Sequence, residues 1–162
     1  IDAKGAVSAS AKDNIYLHDV AGNQVAIDSV TSKEGNVRIY STEGLVNVGK
    51  YSEGASDNTI NVTAKDAILE GGNGTIGTAD KPFTTDLSGY LTARSEGLLN
   101  IYQLGSNALT ISAMYSGANI NLRALNSIYS VYNGIQAQEL GYVSAKGDIY
   151  LLSDNGDIGR VI

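Results

Sequence analysis

The segment Asn73-Gly74-Thr75-Ile76-Gly77 returns 82 residues later as Asn155-Gly156-Asp157-Ile158-Gly159. Two further landmarks return at nearly the same distance: Asn14-Ile15-Tyr16 as Asn100-Ile101-Tyr102, and Thr63-Ala64-Lys65 as Ser144-Ala145-Lys146. Across all such pairs the distance varies only between 81 and 86 residues. The chain therefore contains two copies of a unit of about 82 residues, at 1–84 and 85–162, and a repeat of this length predicts a solenoid.

Short apolar pairs with one residue between them run through both copies. Because side chains alternate along a strand, both members of such a pair share one face, which we expect to be buried. The pairs are Ile15/Leu17, Val25/Ile27, Val37/Ile39, Val46/Val48 and Ile60/Val62, followed by the single Ile68, and then Leu99/Ile101, Leu109/Ile111, Ile120/Leu122, Ile149/Leu151 and, with two residues between its members, Ile128/Val131.

Glycine, asparagine, aspartate and serine separate these pairs, and these residue types suit tight corners. Helix is poorly supported, because nineteen glycines interrupt every window that could carry a helical stripe. The segment from Tyr132 to Leu140 comes nearest to one, but Gly134 interrupts it, so we interpret it as a loop or an irregular corner.

These patterns predict an all-β chain that forms a single β-solenoid segment over residues 1–162. With roughly 20 residues per coil, it would make about eight parallel coils, four in each copy, and a rod on the order of 40 Å long. Two small tandem β-sandwiches are the structural alternative, although a sandwich does not require the chain to restart its pattern.

Composition limits the partners and the location. The chain is 43% hydrophobic and 17% charged, which is typical of folded proteins, and no apolar run is long enough to span a membrane. The net charge is −6 and the basic residues are scattered, so we expect no nucleic-acid partner. Neither end of the repeat pattern shows a capping element, so we expect neighbouring coils or subunits to stack end to end.

Three stretches resemble the repeat region of filamentous-haemagglutinin-like giant bacterial surface exoproteins: Asn73 to Phe83, Leu91 to Ser95 with Ile101-Tyr102, and Ala145 to Leu151. The resemblance covers nearly the whole chain, but it consists of Gly-Asp/Asn-Ile corners and Ala-rich strands, which many such repeats share. It implies a right-handed parallel β-helix that is secreted to the bacterial cell surface or the extracellular space. It also implies a structural or adhesive shaft with no enzymatic activity, and it identifies no receptor.

Parallel β-helices can also carry polysaccharide-cleaving sites built from stacked carboxylates, so a carbohydrate-binding or carbohydrate-cleaving protein is the alternative. The candidates are Asp148, Asp154 and Asp157 near Arg160, and Asp13, Asp19 and Asp28 near His18 and Arg38. We interpret these carboxylates as turn residues and expect no catalytic and no cofactor site. Asp154-Asn155-Gly156-Asp157 lacks the ligand count of a calcium loop, and His18 has no second His or Cys with which to bind zinc, so we expect no metal site.

Tyrosine is the distinctive residue type, with ten against a single Phe83. Tyr16 and Tyr150 lie between the members of apolar pairs and Tyr102 directly follows one, so alternation predicts that all three point outwards. Exposed tyrosines can stack on sugar rings or on a neighbouring protein, because the ring is apolar and its hydroxyl is polar. These three residues are therefore the predicted surface contacts, with host or surface glycans or proteins as partners.

Overall fold

The computed structural model describes residues 2–131 and 142–160, and within these residues the fold is all-β with no helix. The expected all-β class is confirmed. The segment from Tyr132 to Leu140 lies outside the described residues. No helix in the described part has the length and apolar character needed to cross a bilayer.

Seventeen short strands make up two sheets in the described part of the chain. Sheet I contains β1, β3, β5, β6, β8, β9, β11, β13 and β16, and sheet II contains the other eight. The strands are β1 Val7–Ala11, β2 Ile15–His18, β3 Val25–Ser32, β4 Val37–Tyr40, β5 Gly44–Asn47, β6 Val62–Ala64, β7 Ala67–Glu70, β8 Thr75–Ile76, β9 Phe83–Leu87, β10 Tyr90–Ser95, β11 Leu99–Gln103, β12 Leu109–Ser116, β13 Ile120–Ala124, β14 Ile128–Ser130, β15 Tyr142–Ala145, β16 Ile149–Ser153 and β17 Ile158–Arg160.

Every pairing between these strands is parallel, and the paired residues lie 18 to 32 positions apart in the chain, as for Phe83 with Ile101 and Val30 with Val62. In sheet II, for example, Ile15 is opposite Val37, Val37 opposite Ala67, Ala67 opposite Leu91, and Leu91 opposite Ile111. The intervals exceed the expected 20 residues where a longer loop separates two strands. Parallel neighbours this far apart need a connection that leaves the sheet, and here the connection runs through the other sheet.

In-register pairing aligns the inward side chains into continuous apolar rows. One row in sheet II contains Leu17, Ile39, Leu69, Ala93, Met114 and Val143. A row in sheet I contains Val25, Leu45, Ile76, Leu99, Ile120 and Ile149. Most of these side chains are almost fully buried and belong to one core cluster. Each strand is therefore held mainly by the strands directly next to it in its row.

The pairing pattern of the first eight strands recurs among the last eight. Strand β3 pairs with β1, β5 and β6. Strand β12 comes nine strands later, and its partners β10, β14 and β15 also come nine strands after those of β3. The two strands also share one length and one alternation of buried and part-buried residues. Every strand and its counterpart nine places later nevertheless belong to different sheets. Equivalent residues of the two sequence copies therefore lie in different sheets.

One apolar pair expected in the core, Val46/Val48, and the single Ile68 do not point inwards. In β5 Leu45 and Asn47 are buried, whereas Val46 is part-buried and Val48, just after the strand, is 45% exposed. In β7 the buried residues are Ala67 and Leu69, and Ile68 is 38% exposed. The register is shifted by one residue from the expectation, and in a strand a shift of one exchanges the two faces.

The first copy of the Asn-Gly-x-Ile-Gly motif, Asn73 to Gly77, makes a corner that packs against the preceding turn. A Cβ atom at Gly74 would lie 1.8 Å from the carbonyl oxygen of Glu43, so only glycine fits there. Gly77 has φ +74°, a conformation that other residues rarely adopt, and its Cβ would meet the carbonyl of Asn100. The buried Ile76 between them joins the row of Leu45 and Leu99. The motif thus combines a tight corner with one core position.

A buried polar network anchors both ends of the loop between β5 and β6, which we call the 48–61 loop. The side chain of Asn61 is fully buried; its amide donates to the carbonyl oxygens of Ile27 and Asp28 and to Asn47 Oδ1, at 2.9 to 3.0 Å. Its oxygen accepts bonds from the backbone N–H and the hydroxyl of Thr84, each at 2.9 Å. Because both the amide nitrogen and the oxygen of the Asn61 side chain have hydrogen-bond partners, the network fixes the loop without leaving either group buried and unpaired.

Candidate functional site

The three predicted contact tyrosines do not form one row. Tyr16 belongs to β2 in sheet II, whereas Tyr102 and Tyr150 belong to β11 and β16 in sheet I. Within sheet I, Tyr102 is aligned with Arg123, and Tyr150 with Asn121. The exchange of sheets between the two copies separates Tyr16 from its counterpart Tyr102.

The expectation that Tyr102 is exposed is wrong, because only 6% of it is accessible. The residue does point away from the core, as alternation predicts, but the 48–61 loop folds across this part of sheet I. The hydroxyl of Tyr102 donates to Asp154 Oδ2 at 2.7 Å, and the guanidinium of Arg123 lies over its ring, 4.6 Å from the centroid. Tyr102 is therefore a covered structural contact, while Tyr16 and Tyr150 are 70% and 58% exposed, as expected.

Arg123 connects the 48–61 loop to sheet I. Its Nε donates to both oxygens of Asp154 at 2.9 and 3.0 Å, and its Nη1 donates to Glu53 Oε1 at 3.2 Å. The loop itself is closed by hydrogen bonds between Lys50 and Thr59, so Glu53 projects from a compact turn. Strands β11 and β13, the segment just after β16 and the 48–61 loop meet at this cluster, although they are distant in sequence.

Electrostatics within the cluster favour the protonated tyrosines and the charged arginine. Burial, reinforced by the hydrogen bond to Asp154, raises the pKa of Tyr102 to about 12, and burial also raises the pKa of Tyr51. Burial alone would lower the pKa of Arg123, but its hydrogen bond to Asp154 and the neighbouring negative charges raise it. Cavities of about 330 and 600 Å³ lie beside the cluster, and both are lined by Tyr102 and Arg123.

Sheet II concentrates the tyrosines of this protein. Six of the ten lie in its strands, namely Tyr16, Tyr40, Tyr90, Tyr115, Tyr129 and Tyr142. All six are exposed or part-buried. This concentration could not be seen from spacing along the chain, because it depends on which strands share a sheet.

Two outward rows in sheet II carry most of these side chains. The first contains Tyr16, Arg38, Ile68, Thr92, Ala113 and Tyr142; the second contains His18, Tyr40, Glu70, Arg94, Tyr115 and Ser144. With neighbouring strands about 4.8 Å apart, the five steps from Tyr16 to Tyr142 cover about 24 Å. The rows form an aromatic and charged face, which we call the tyrosine face.

Contacts between neighbouring strands fix the side chains of this face. Arg38 donates from Nε and Nη2 to the same oxygen of Glu70, Oε2, at 3.1 and 2.8 Å. His18 and Tyr40 meet edge to face, with their ring centroids 4.8 Å apart. Further along, the guanidinium of Arg94 lies 5.5 Å from the centre of the Tyr115 ring. The face is thus ordered in advance of any ligand.

Two shallow cavities meet at Tyr16 and Arg38. One, of about 460 Å³, is lined by Tyr16, Leu17, His18, Arg38, Tyr40 and Glu70. The other, of about 230 Å³, lies on the other side of Tyr16 and Arg38, and its lining includes Asp66, Ile68 and Tyr90. Together they form a groove across sheet II with Tyr16 at its centre, which we call the Tyr16 groove.

The carboxylates considered as catalytic candidates have separate environments. In the first set Asp154 binds Arg123 and Tyr102, and Asp148 accepts a hydrogen bond from the hydroxyl of Tyr150 at 3.2 Å. Asp157 immediately precedes β17, the strand that contains Arg160.

In the second set Asp28 belongs to sheet I and accepts a hydrogen bond from Ser8, whereas His18 and Arg38 belong to sheet II. Asp13 is exposed between β1 and β2, and Asp19 is buried just after β2. In the described residues, no three His, Cys, Asp or Glu side chains are grouped so that they could hold a metal ion.

No protein-family model, no curated protein and no solved structure matches the chain. The features that bear on function are therefore the fold, the cluster around Tyr102 and Arg123, and the tyrosine face.

Proposed function

We propose that this chain is a segment of a right-handed parallel β-helix that serves as a structural and adhesive shaft. The shaft would belong to a large secreted or cell-surface bacterial protein of the filamentous-haemagglutinin type, located outside the cell. The observation that carries the proposal is the in-register stacking of parallel strands over uninterrupted apolar rows. Such a stack resists extension, because backbone hydrogen bonds join each coil to the next along the axis.

The recurrence of the pairing pattern after nine strands supports a modular shaft. A second unit continues the rows of the first without a break: β10 pairs with β7 of the first unit, and β11 pairs with β8 and β9. Such a unit adds length by reusing the same neighbour contacts.

Neighbouring coils, of the same chain or of a second copy, are the end-to-end partners that we propose. Ile149 and Ile158 continue the inward rows of Ile120 and Ile128, yet they are 43% and 50% exposed. A further parallel coil would bury both side chains and pair with the outer edges of β16 and β17. Sedimentation of the Ile149→Lys, Ile158→Lys double variant tests this stacking. We expect concentration-dependent association of the unmodified chain and its loss in the variant; a chain that stays monomeric at high concentration would contradict self-stacking.

Single-molecule force spectroscopy tests the shaft. The chain has no cysteine, so Lys4→Cys and Asp157→Cys, at two exposed positions, provide unique attachment points. If each coil is held only by its neighbours, extension should proceed in steps of one pairing interval, 18 to 32 residues or about 60 to 110 Å of extended chain. One single step that releases the whole chain would refute the shaft and favour a sandwich. Leu69→Ala should lower the force of the step that releases β7, and the outward Ile68→Ala should not.

The tyrosine face is a separate observation that favours a carbohydrate-binding role. For polysaccharide cleavage no comparable observation exists, since the candidate carboxylates do not gather around one groove in the described part of the chain.

A further inference from the structure

The Tyr16 groove has features that a purely mechanical shaft does not need. Tyr16 presents a large aromatic ring that is 70% exposed, and Tyr90, on the far side of the groove, is 48% exposed. Exposed rings contribute nothing to the apolar rows of the core. A binding surface, in contrast, gains from rigid aromatic rings, because their apolar faces stack on a ligand at a low cost in conformational entropy.

Polar groups with remaining hydrogen-bonding capacity lie next to these rings. Arg38 and Glu70 meet through a single oxygen, Oε2. Within the part of the chain that the structure describes, Glu70 Oε1 and Arg38 Nη1 make no hydrogen bond. Glu70 Oε1 can therefore accept a hydrogen bond from a ligand, and Arg38 Nη1 can donate one. Asp66 lines the same groove; its Oδ1 accepts the backbone N–H of Tyr90 at 2.8 Å. Planar polar groups beside aromatic platforms match the alternating hydroxyls and apolar faces of a sugar ring.

The charges around the groove select against an anionic ligand. Arg38 is balanced by Glu70, and further along the face Lys146 is paired with Glu96 at 3.4 Å. The chain as a whole carries −6, so a sulfated or carboxylated polymer is repelled at long range. A neutral ligand is not repelled by the negative charge of the chain, and it needs no unpaired cation in the groove.

The arrangement of the face favours a polymer over a single sugar. Outward rows run perpendicular to the strands with about 4.8 Å between successive side chains, so tyrosines of one row stand three to five steps apart along the stack. Tyr142 lies in the same row as Tyr16, and Tyr115 in the row of Tyr40. An extended chain laid along the face can therefore contact several tyrosines at once.

We propose that the Tyr16 groove binds a neutral polysaccharide. Its pyranose rings stack on Tyr16 and Tyr90, and its hydroxyls bond to Arg38 and Glu70. This inference names the partner class for the adhesive role and so rests on the proposed shaft function.

Isothermal titration calorimetry with three neutral hexasaccharides, cellohexaose, laminarihexaose and maltohexaose, tests the inference. We expect at least one to bind and Tyr16→Ala to weaken it by about tenfold, since one stacked aromatic ring is lost. Tyr150→Ala is the matched control: it removes another exposed tyrosine, 58% accessible, from sheet I, and it should leave affinity unchanged. Circular dichroism verifies that both variants fold.

Three results would overturn the proposal: no hexasaccharide binds, Tyr150→Ala weakens binding as much as Tyr16→Ala, or a heparin hexasaccharide binds more tightly than all three. The stepwise extension described above is measured without any ligand. Stepwise extension without sugar binding would refute the ligand and leave the shaft, whereas extension in a single step would refute the shaft itself.

Discussion

Replacing Leu69 by alanine should destabilise the protein far more than replacing its neighbour Ile68. Both residues lie in β7, and both substitutions remove three carbon atoms. Leu69 is fully buried between Ile39 and Ala93 in the inward row of sheet II, whereas Ile68 points outwards and is 38% exposed. The pair therefore compares the two faces of one strand at constant chemistry.

The size of the difference follows from burial. Three buried carbons at about 0.8 kcal/mol each contribute about 2.4 kcal/mol. The cavity left between two stacked strands raises the loss for Leu69→Ala to about 3 kcal/mol or more, within the usual range for such changes. For Ile68→Ala we expect less than about 1 kcal/mol, mainly from lost cross-strand contacts.

Urea unfolding followed by far-ultraviolet circular dichroism measures both free energies of unfolding, provided that the slopes of the two transitions agree with that of the parent chain. Losses of equal size in the two variants would refute the assigned faces of β7. A larger loss of unfolding free energy for Ile68→Ala than for Leu69→Ala would support the register expected from sequence.

Three further predictions concern the corner, the buried network and the covered tyrosine. Gly74→Ala should lower the free energy of unfolding by about 1–3 kcal/mol, because the new methyl group meets the Glu43 carbonyl; Gly5→Ala, with no atom within 4 Å, is the control and should have little effect. Asn61→Ala should lower the free energy of unfolding by about 1–3 kcal/mol, because buried partners such as the Thr84 hydroxyl and the Ile27 carbonyl keep fewer hydrogen bonds. Amide hydrogen exchange should also accelerate in the 48–61 loop. Unchanged exchange there would contradict the anchoring role of Asn61. Because the pKa of Tyr102 is raised from 10.0 to about 12, its contribution to stability should be complete below about pH 10 and lost as the pH rises towards 12. Tyr102→Phe should flatten that alkaline decline, and a variant that declines as steeply as the parent would show that Tyr102 ionises normally.

Much of the core could be predicted from sequence, because alternation is a local property. Pairs such as Val37/Ile39 and Ile120/Leu122 lie in the core as expected. The exceptions, Val48 and Ile68, follow corners whose geometry decides which face the next residue occupies. At Gly44, for example, φ is +108° and the backbone lies against Thr75, so β5 starts in a register that periodicity alone does not reveal.

The candidate surfaces were less predictable, since they depend on contacts between distant residues. Alternation identified Tyr16 and Tyr150 as exposed, but it could not show that a loop from the first copy covers Tyr102. Arg38 and Glu70 carry no sequence signal that links them, because they are 32 residues apart and meet only across paired strands. Opposite charges separated by about one interval between paired strands are the pattern that could have suggested the pair.

The exchange of sheets between the two copies changes what duplication does to such a protein. If equivalent strands stayed in one sheet, a second copy would extend a single face, and every advantageous surface residue would be repeated along one line. Here the counterpart of each surface position emerges from the other side of the stack. Duplication of this unit therefore produces a two-sided object, on which each face can diverge under its own selection while the interior remains common to both.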